Sequence, residues 1–254
     1  MMNMSYSEFP ETSIRGSGKV HIEGHGSVKV SGRAELSPRL ISTSGSSRLP
    51  GGLTVKELES SGSMEVDGDI SADNIRFSGS ATIRGDTRFR RMEKSGSLRV
   101  EGGVEGSFME VSGSTTVDGS AKVSDELLSS GSLTVEGGIE SGGRVEVRGR
   151  LRTKGIKADK IEIILGGSLS RVTESLEAQY IRVEPREWRD GELRTGKVEG
   201  GEIILENVEC DTVTGSKVYI GDGCRVNGKV TYTESIQVSP KAYLRESPEK
   251  TEMN

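Results

Sequence analysis

Residues 61–129 repeat themselves: SGSMEVDGDISADNIRF (61–77), SGSATIRGDTRFRRMEK (78–94), SGSLRVEGGVEGSFMEV (95–111) and SGSTTVDGSAKVSDELLS (112–129). Ser-Gly-Ser triplets open these units at Ser61, Ser78, Ser95 and Ser112, always by the same step. The frame reaches back to Ser44 by that step and on to Ser130 by a slightly longer one. A fixed period held this long is the sequence signature of a repeat architecture.

The columns of the repeat show what each unit builds. One column reads Leu49, Val66, Ile83, Val100, Val117 and Val135; just before it, in the next place on the same face, stand Ser47, Met64, Ala81, Leu98, Thr115 and Leu133. Apolar residues in every second place mark a strand with one buried face. A glycine column follows at Gly51, Gly68, Gly85, Gly102, Gly119 and Gly137. Glycine beside a strand marks a corner that needs a positive φ or a close backbone approach. Second and third short strands are expected around Ile70/Ala72 and Ile75/Phe77 and at the matching places in the other units. Three short strands, corners between them and a return to the start after about 17–18 residues describe one coil of a parallel β-helix, an all-β solenoid. Neighbouring coils would stack about 4.8 Å apart. No run shows the i, i+3, i+4, i+7 spacing of an amphipathic helix.

Composition fits a thin solenoid core. Glycine makes up 35 of 254 residues, while hydrophobic residues are 31% and aromatic ones 4%. Each coil buries its face only against its neighbours, so few large side chains are needed. Net charge is −5 with acidic and basic residues interspersed, which gives nucleic-acid binding no basic stripe to work with. No stretch approaches the ~20 apolar residues of a membrane-spanning helix, and no signal-peptide pattern opens the sequence. Cytoplasm is the expected location, with membrane association through the N-terminal residues as the alternative.

Outward from the repeat, residues 1–15 carry no strand pattern and are expected to be a disordered tail. Its Tyr6, Phe9 and methionines could give weak contact with a membrane or a partner protein. Residues 16–151 are expected to form a regular β-helix. Its first coil would come from SGKVHIEG and HGSVKVSG, with Val20, Ile22, Val28 and Val30 inward, and residues 33–43 would be a variable corner. Residues 152–244 continue the β-helix or form a second one. Strand pairs persist at Ile161/Ile163, Ile181/Val183, Ile203/Leu205, Val218/Ile220 and Ile236/Val238. Residues 184–196, with Pro185 and Trp188, look like an excursion from the coil, and residues 169–178 are a candidate short helix. Residues 245–254 are expected to be a second disordered tail.

Motifs that carry chemistry are few. His21 and His25 stand four apart, but a strand bent at Gly24 does not place both on one face, so no metal site is expected. Gly191–Val198 (GELRTGKV) matches part of a phosphate-binding loop, yet Val198 stands where Ser or Thr should hold Mg²⁺. Cys210 and Cys224 form no C-x-x-C pair and are expected to be reduced core or corner residues. Stacked coils could bring two carboxylates together for glycoside chemistry, though nothing singles out a pair. The expectation is therefore a protein without catalysis, cofactor or small-molecule substrate.

Two blocks resemble the bactofilins, polymer-forming cytoskeletal proteins of bacteria and archaea. One is SGSLRVEGGVEGS (95–107) with SGSLTVEGGIESGGRVEVRG (130–149). The other is VEGGEIILENVECDTVTGSKVYIGDGCRVNGKVTYTESIQVSPKA (198–242). The resemblance implies a right-handed parallel β-helix that polymerises without nucleotide, sometimes on membranes. The coiled region here is about twice the usual length for that family. Physics offers a mechanism: each end of a β-helix exposes unpaired backbone groups, a template for another chain. Self-association is expected through Val20, Ile22, Val28 and Val30 at one end and Tyr232, Ile236, Val238 and Tyr243 at the other, with Trp188 as a candidate lateral contact. The alternatives are a β-helical binding module for a protein or cell-wall polymer and a polysaccharide-acting β-helix enzyme.

Overall fold

The structure, a computed structural model, describes residues 6–187 and 191–252. It divides into two compact units, Met1–Val123 and Ser124–Asn254. All regular elements in both units are β-strands.

In the first unit the strands are β1 (Thr12–Ile22), β2 (Gly26–Leu36), β3 (Leu40–Pro50), β4 (Leu53–Asp67), β5 (Ile70–Ile83), β6 (Thr87–Val100) and β7 (Val104–Val117). From β3 onward the pairing is parallel and keeps the sequence frame: Ser44 meets Ser61, Ser61 meets Ser78, Ser78 meets Ser95 and Ser95 meets Ser112. The three short strands expected per coil run together into one long strand, broken only at the corner where the next begins. Inward residues are buried in the expected alternation, for example Met64, Val66, Ile70, Ala72, Ile75 and Phe77. The result is a parallel β-solenoid.

The triplet glycines explain why the frame is so strict. Gly79 has φ +120°, and a Cβ there would lie 2.3 Å from the Gly62 carbonyl oxygen of the coil before. Only glycine meets both demands. The other glycine column works by close approach: at Gly85 an added Cβ would stand 2.2 Å from the Asp69 carboxylate oxygen. That carboxylate accepts a hydrogen bond from the Asp86 N–H at 2.8 Å, tying one corner to the next.

The start of the first unit departs from the expected first coil. β1 and β2 form an antiparallel hairpin in which Val20 faces Val28 and Ile22 faces Gly26. β2 then pairs antiparallel with β3, from Lys29–Arg48 to Leu36–Ile41, so residues 33–43 are mostly strand around a tight turn at Ser37. The physical reason is loop length. Residues 23–25 reverse the chain with Gly24 at φ +75° and Gly26 at φ +117°, too short a connection to travel round a coil. The expected tail is also ordered from Tyr6 onward: β1 begins at Thr12, and Phe9 is buried.

The second unit contains β8 (Ala121–Val135, across the division), β9 (Ile139–Ser141), β10 (Arg144–Thr153), β11 (Ile156–Lys157), β12 (Lys160–Leu165) and β13 (Leu169–Pro185). It ends with β14 (Glu192–Leu205), β15 (Val208–Ile220), β16 (Arg225–Val226), β17 (Val230–Val238), β18 (Tyr243–Leu244) and β19 (Glu249–Lys250). Pairing is again parallel, but the spacing wanders: Glu126 meets Arg144, Arg144 meets Lys160, Leu169 meets Glu192 and Leu193 meets Val208. Residues 169–178 are strand rather than helix, with a register irregularity between Val172 and Ser175 where β13 carries one residue more than β14. The expected excursion at 184–196 shrinks, because Glu184 and Pro185 close β13 and Glu192 opens β14. Trp188 lies outside the described residues. The expected C-terminal tail also joins the solenoid, since β19 pairs with Thr231–Tyr232.

Candidate self-association edges

The residues expected at the two ends fall into different environments. At the N-terminal end Ile22, Val28 and Val30 are buried at 0%, 0% and 5% exposure, and Val20 is half-buried. The hairpin covers the first true coil, so these side chains belong to a closed core. The exposed side chains of β1 include Arg15, Lys19 and His21, charged and polar groups that discourage edge-to-edge pairing. His21 Nδ1 lies 3.4 Å from Ser27 Oγ across the hairpin. His25 sits half-buried in the turn.

The hairpins leave one part of the end uncovered. The β3–β4 ladder begins at Leu40–Glu57, so Leu53–Val55 receives no strand from β3. The chain's own N-terminal residues close that gap. Ser7 N–H donates to the Thr54 carbonyl at 2.7 Å, and Thr54 N–H donates to Ser7 Oγ at 2.9 Å. Tyr6 donates its hydroxyl to Asp73 at 2.7 Å, which raises the phenol pKa. Phe9 is 7% exposed.

The C-terminal end is open. Ser235–Val238 pairs with Lys217–Ile220 on one side, and among the described residues no strand pairs with the other side. Ile236 and Val238 are half-buried, whereas their partners Val218 and Ile220 are buried. Tyr232 and Leu244 are half-buried, and Tyr243 is 50% exposed with Arg225 over its ring at 4.8 Å. Lys241 donates to Asp222 at 2.7 Å, and that hydrogen bond, with a second from Ser239, holds the carboxyl below the usual range.

Sequence reasoning missed one buried charge. Lys94 stands in the inward column between Phe77 and Val111 and is 4% exposed. Its ammonium donates to the carbonyls of Gly96 (2.5 Å), Ser112 (3.1 Å) and Ser114 (2.7 Å), with Thr115 Oγ1 at 3.3 Å. Burial pulls its pKa down to about 8. The signal was legible, since Lys94 takes the next inward place after Met92 in a column that is otherwise apolar or small.

The lateral faces carry several internal ion pairs. A groove of about 650 Å³ runs beside the serine ladder Ser61, Ser78, Ser95 and Ser112. Its charged side is self-paired, with Arg76 bonded to Glu59 at 3.2 Å and to Glu93 at 3.5 Å. Glu146 and Glu162 are stacked carboxylates in the second unit. Arg144 bridges them, and Arg148 and Lys160 add further ion pairs. Cys210 and Cys224 are buried free thiols, pushed up to about 12 and about 11 by desolvation. Among the described residues no group of three or more His, Cys, Asp or Glu could hold a metal ion, and no helix is long and apolar enough to cross a membrane. GELRTGKV enters β14 as a strand and leads into no helix.

The fold and its edges define the chain as a parallel β-solenoid. No family model, no curated protein and no solved structure matches it.

Proposed function

We propose that the protein is a self-associating structural scaffold, the role that the bactofilin resemblance implies, and that its C-terminal edge is the principal contact. The supporting observation is the strand Ser235–Val238, which pairs on one side only among the described residues and leaves Ile236 and Val238 half-buried. An unpaired, apolar strand edge recruits another edge. Two copies meeting through the same edge are related by a two-fold axis, which makes the contacting strands antiparallel. Their backbone groups and apolar rows are then covered together. Nucleotide has no part in this reading. A filament requires a second contact elsewhere on each copy.

Sedimentation velocity with negative-stain microscopy, without nucleotide, tests the reading. Wild type should pass from monomer to dimer or longer species as concentration rises. Ile236→Asp and Val238→Asp should stay monomeric with unchanged far-UV circular dichroism. A wild type that remains monomeric throughout, or Asp variants that associate as wild type does, would sink the proposal.

A further inference from the structure

We infer that the N-terminal edge is a strand-exchange site, closed in each chain by its own residues Tyr6–Pro10 and able to take the same segment from a second copy. The edge is a real strand edge. Thr54 presents both its N–H and its carbonyl away from β5, and β3 offers them no partner. Ser7 satisfies both groups, one through its backbone and one through its hydroxyl. Adding an extended peptide to an exposed sheet edge is a recurrent recognition mode in which backbone bonds give affinity and side-chain sites give selectivity.

The side-chain sites are present. Tyr6 reaches Asp73, far away in sequence, and Phe9 is buried while Pro10 beside it is exposed. Selectivity for Tyr-Ser-Glu-Phe is thus built into the edge, which is why the occupant is a copy of this chain rather than an arbitrary strand. Only Glu11 separates the segment from β1. The segment can leave without disturbing the hairpin, because few bonds hold it to β4 and β5. The same bonds form whether the segment comes from its own chain or from another, the condition for swapping an identical element between protomers.

The inference stands independently of the C-terminal contact. If that contact also forms, exchange at the N-terminal edge supplies the second two-fold contact that a filament needs.

The probe is a fluorescein-labelled peptide of residues 6–11, YSEFPE, titrated by anisotropy against full-length chains. Ser7→Pro removes the donor to Thr54, and Phe9→Asp expels the buried ring; either should vacate the edge. The peptide is expected to bind a folded vacated variant at least tenfold more tightly than wild type, where the site is filled. A peptide carrying the Phe9→Asp change should lose that binding, and an added Val238→Asp change should leave it intact, which separates this site from the C-terminal edge. No binding to either folded variant, equal binding to variant and wild type, or indifference to the change in the peptide would overturn the inference.

Discussion

The two units meet one packing requirement with different regularity. In the first, every coil from Ser44 to Ser112 returns after the same step, and serine stacks on serine and glycine on glycine. In the second, a long coil carries Leu169 to Glu192 and a short one carries Leu193 to Val208. Yet both bury an unbroken inward row: Val66, Ile83 and Val100 in one, Ile161, Ile181 and Ile203 in the other. The inward alternation is what the solenoid requires, and the corners take up differences in length. A strict period therefore reflects identical corners, not a stricter fold. The ends differ too, since the first unit closes its edge with hairpins and a docked segment, while in the second no strand among the described residues pairs with the outer side of Ser235–Val238.

The sharpest way to break this comparison is to place the same charge at both ends. Val30 is 5% exposed, so Val30→Asp should cost about 3–5 kcal/mol through an uncompensated buried carboxylate. Chemical denaturation would show the loss. Val238→Asp should cost far less, because that side chain is only half-buried and no strand among the described residues pairs beyond it. Equal destabilisation would mean that the ends do not differ as described.

Corner chemistry gives the next largest effect. Gly79→Ala meets a positive φ and a Cβ contact of 2.3 Å to a backbone oxygen, and should destabilise by about 3 kcal/mol. Gly138→Ala in the second unit meets nothing closer than 3.6 Å and should change stability by less than about 0.5 kcal/mol. Comparable losses would contradict the claim that the positive φ and the close backbone oxygen make Gly79 irreplaceable.

Lys94 makes a pH-dependent test confined to the first unit. Its folded pKa of about 8 lies below the ordinary lysine value of 10.5, so above pH 8 the unfolded chain binds more protons than the folded one. Stability from this group therefore rises between about pH 8 and 10.5 and is lost as pH falls through 8. Relative to Lys94→Met, wild type should gain about 1–2 kcal/mol between about pH 7.5 and 10, read from paired denaturation curves. A constant difference would show that the ammonium is not penalised by burial.

The smallest effect concerns the second unit's thiols. With Cys210 at about 12 and Cys224 at about 11, alkylation at about pH 8 should be at least about tenfold slower in the folded protein than in urea. Equal rates would mean that this part of the core opens freely.

The fold class was legible because strand alternation and a repeated corner are both written locally. The alternation also marked Ile236 and Val238 as an inward pair late in the frame, but not whether a further strand would cover them. What misled was the similarity of a hairpin to two faces of a coil. KVHIEGHGSVKV has the alternation of either, and only the reversal at Glu23–His25 distinguishes them. Residues 6–10 were opaque because a short extended segment that bonds the sheet through one residue carries no period. Its partner Thr54 lies several coils' worth of chain away.

The sequence by itself determined a parallel solenoid, the positions of its inward rows and the glycines on which its corners depend, because those features arise from neighbours along the chain and from one coil to the next. The tertiary structure alone decided which end is closed and which is open, where Lys94 finds its carbonyls, and that the first residues fold back onto β4. Those depend on which backbone groups are left unpaired once every coil has formed, a property of the assembled fold that no local pattern encodes.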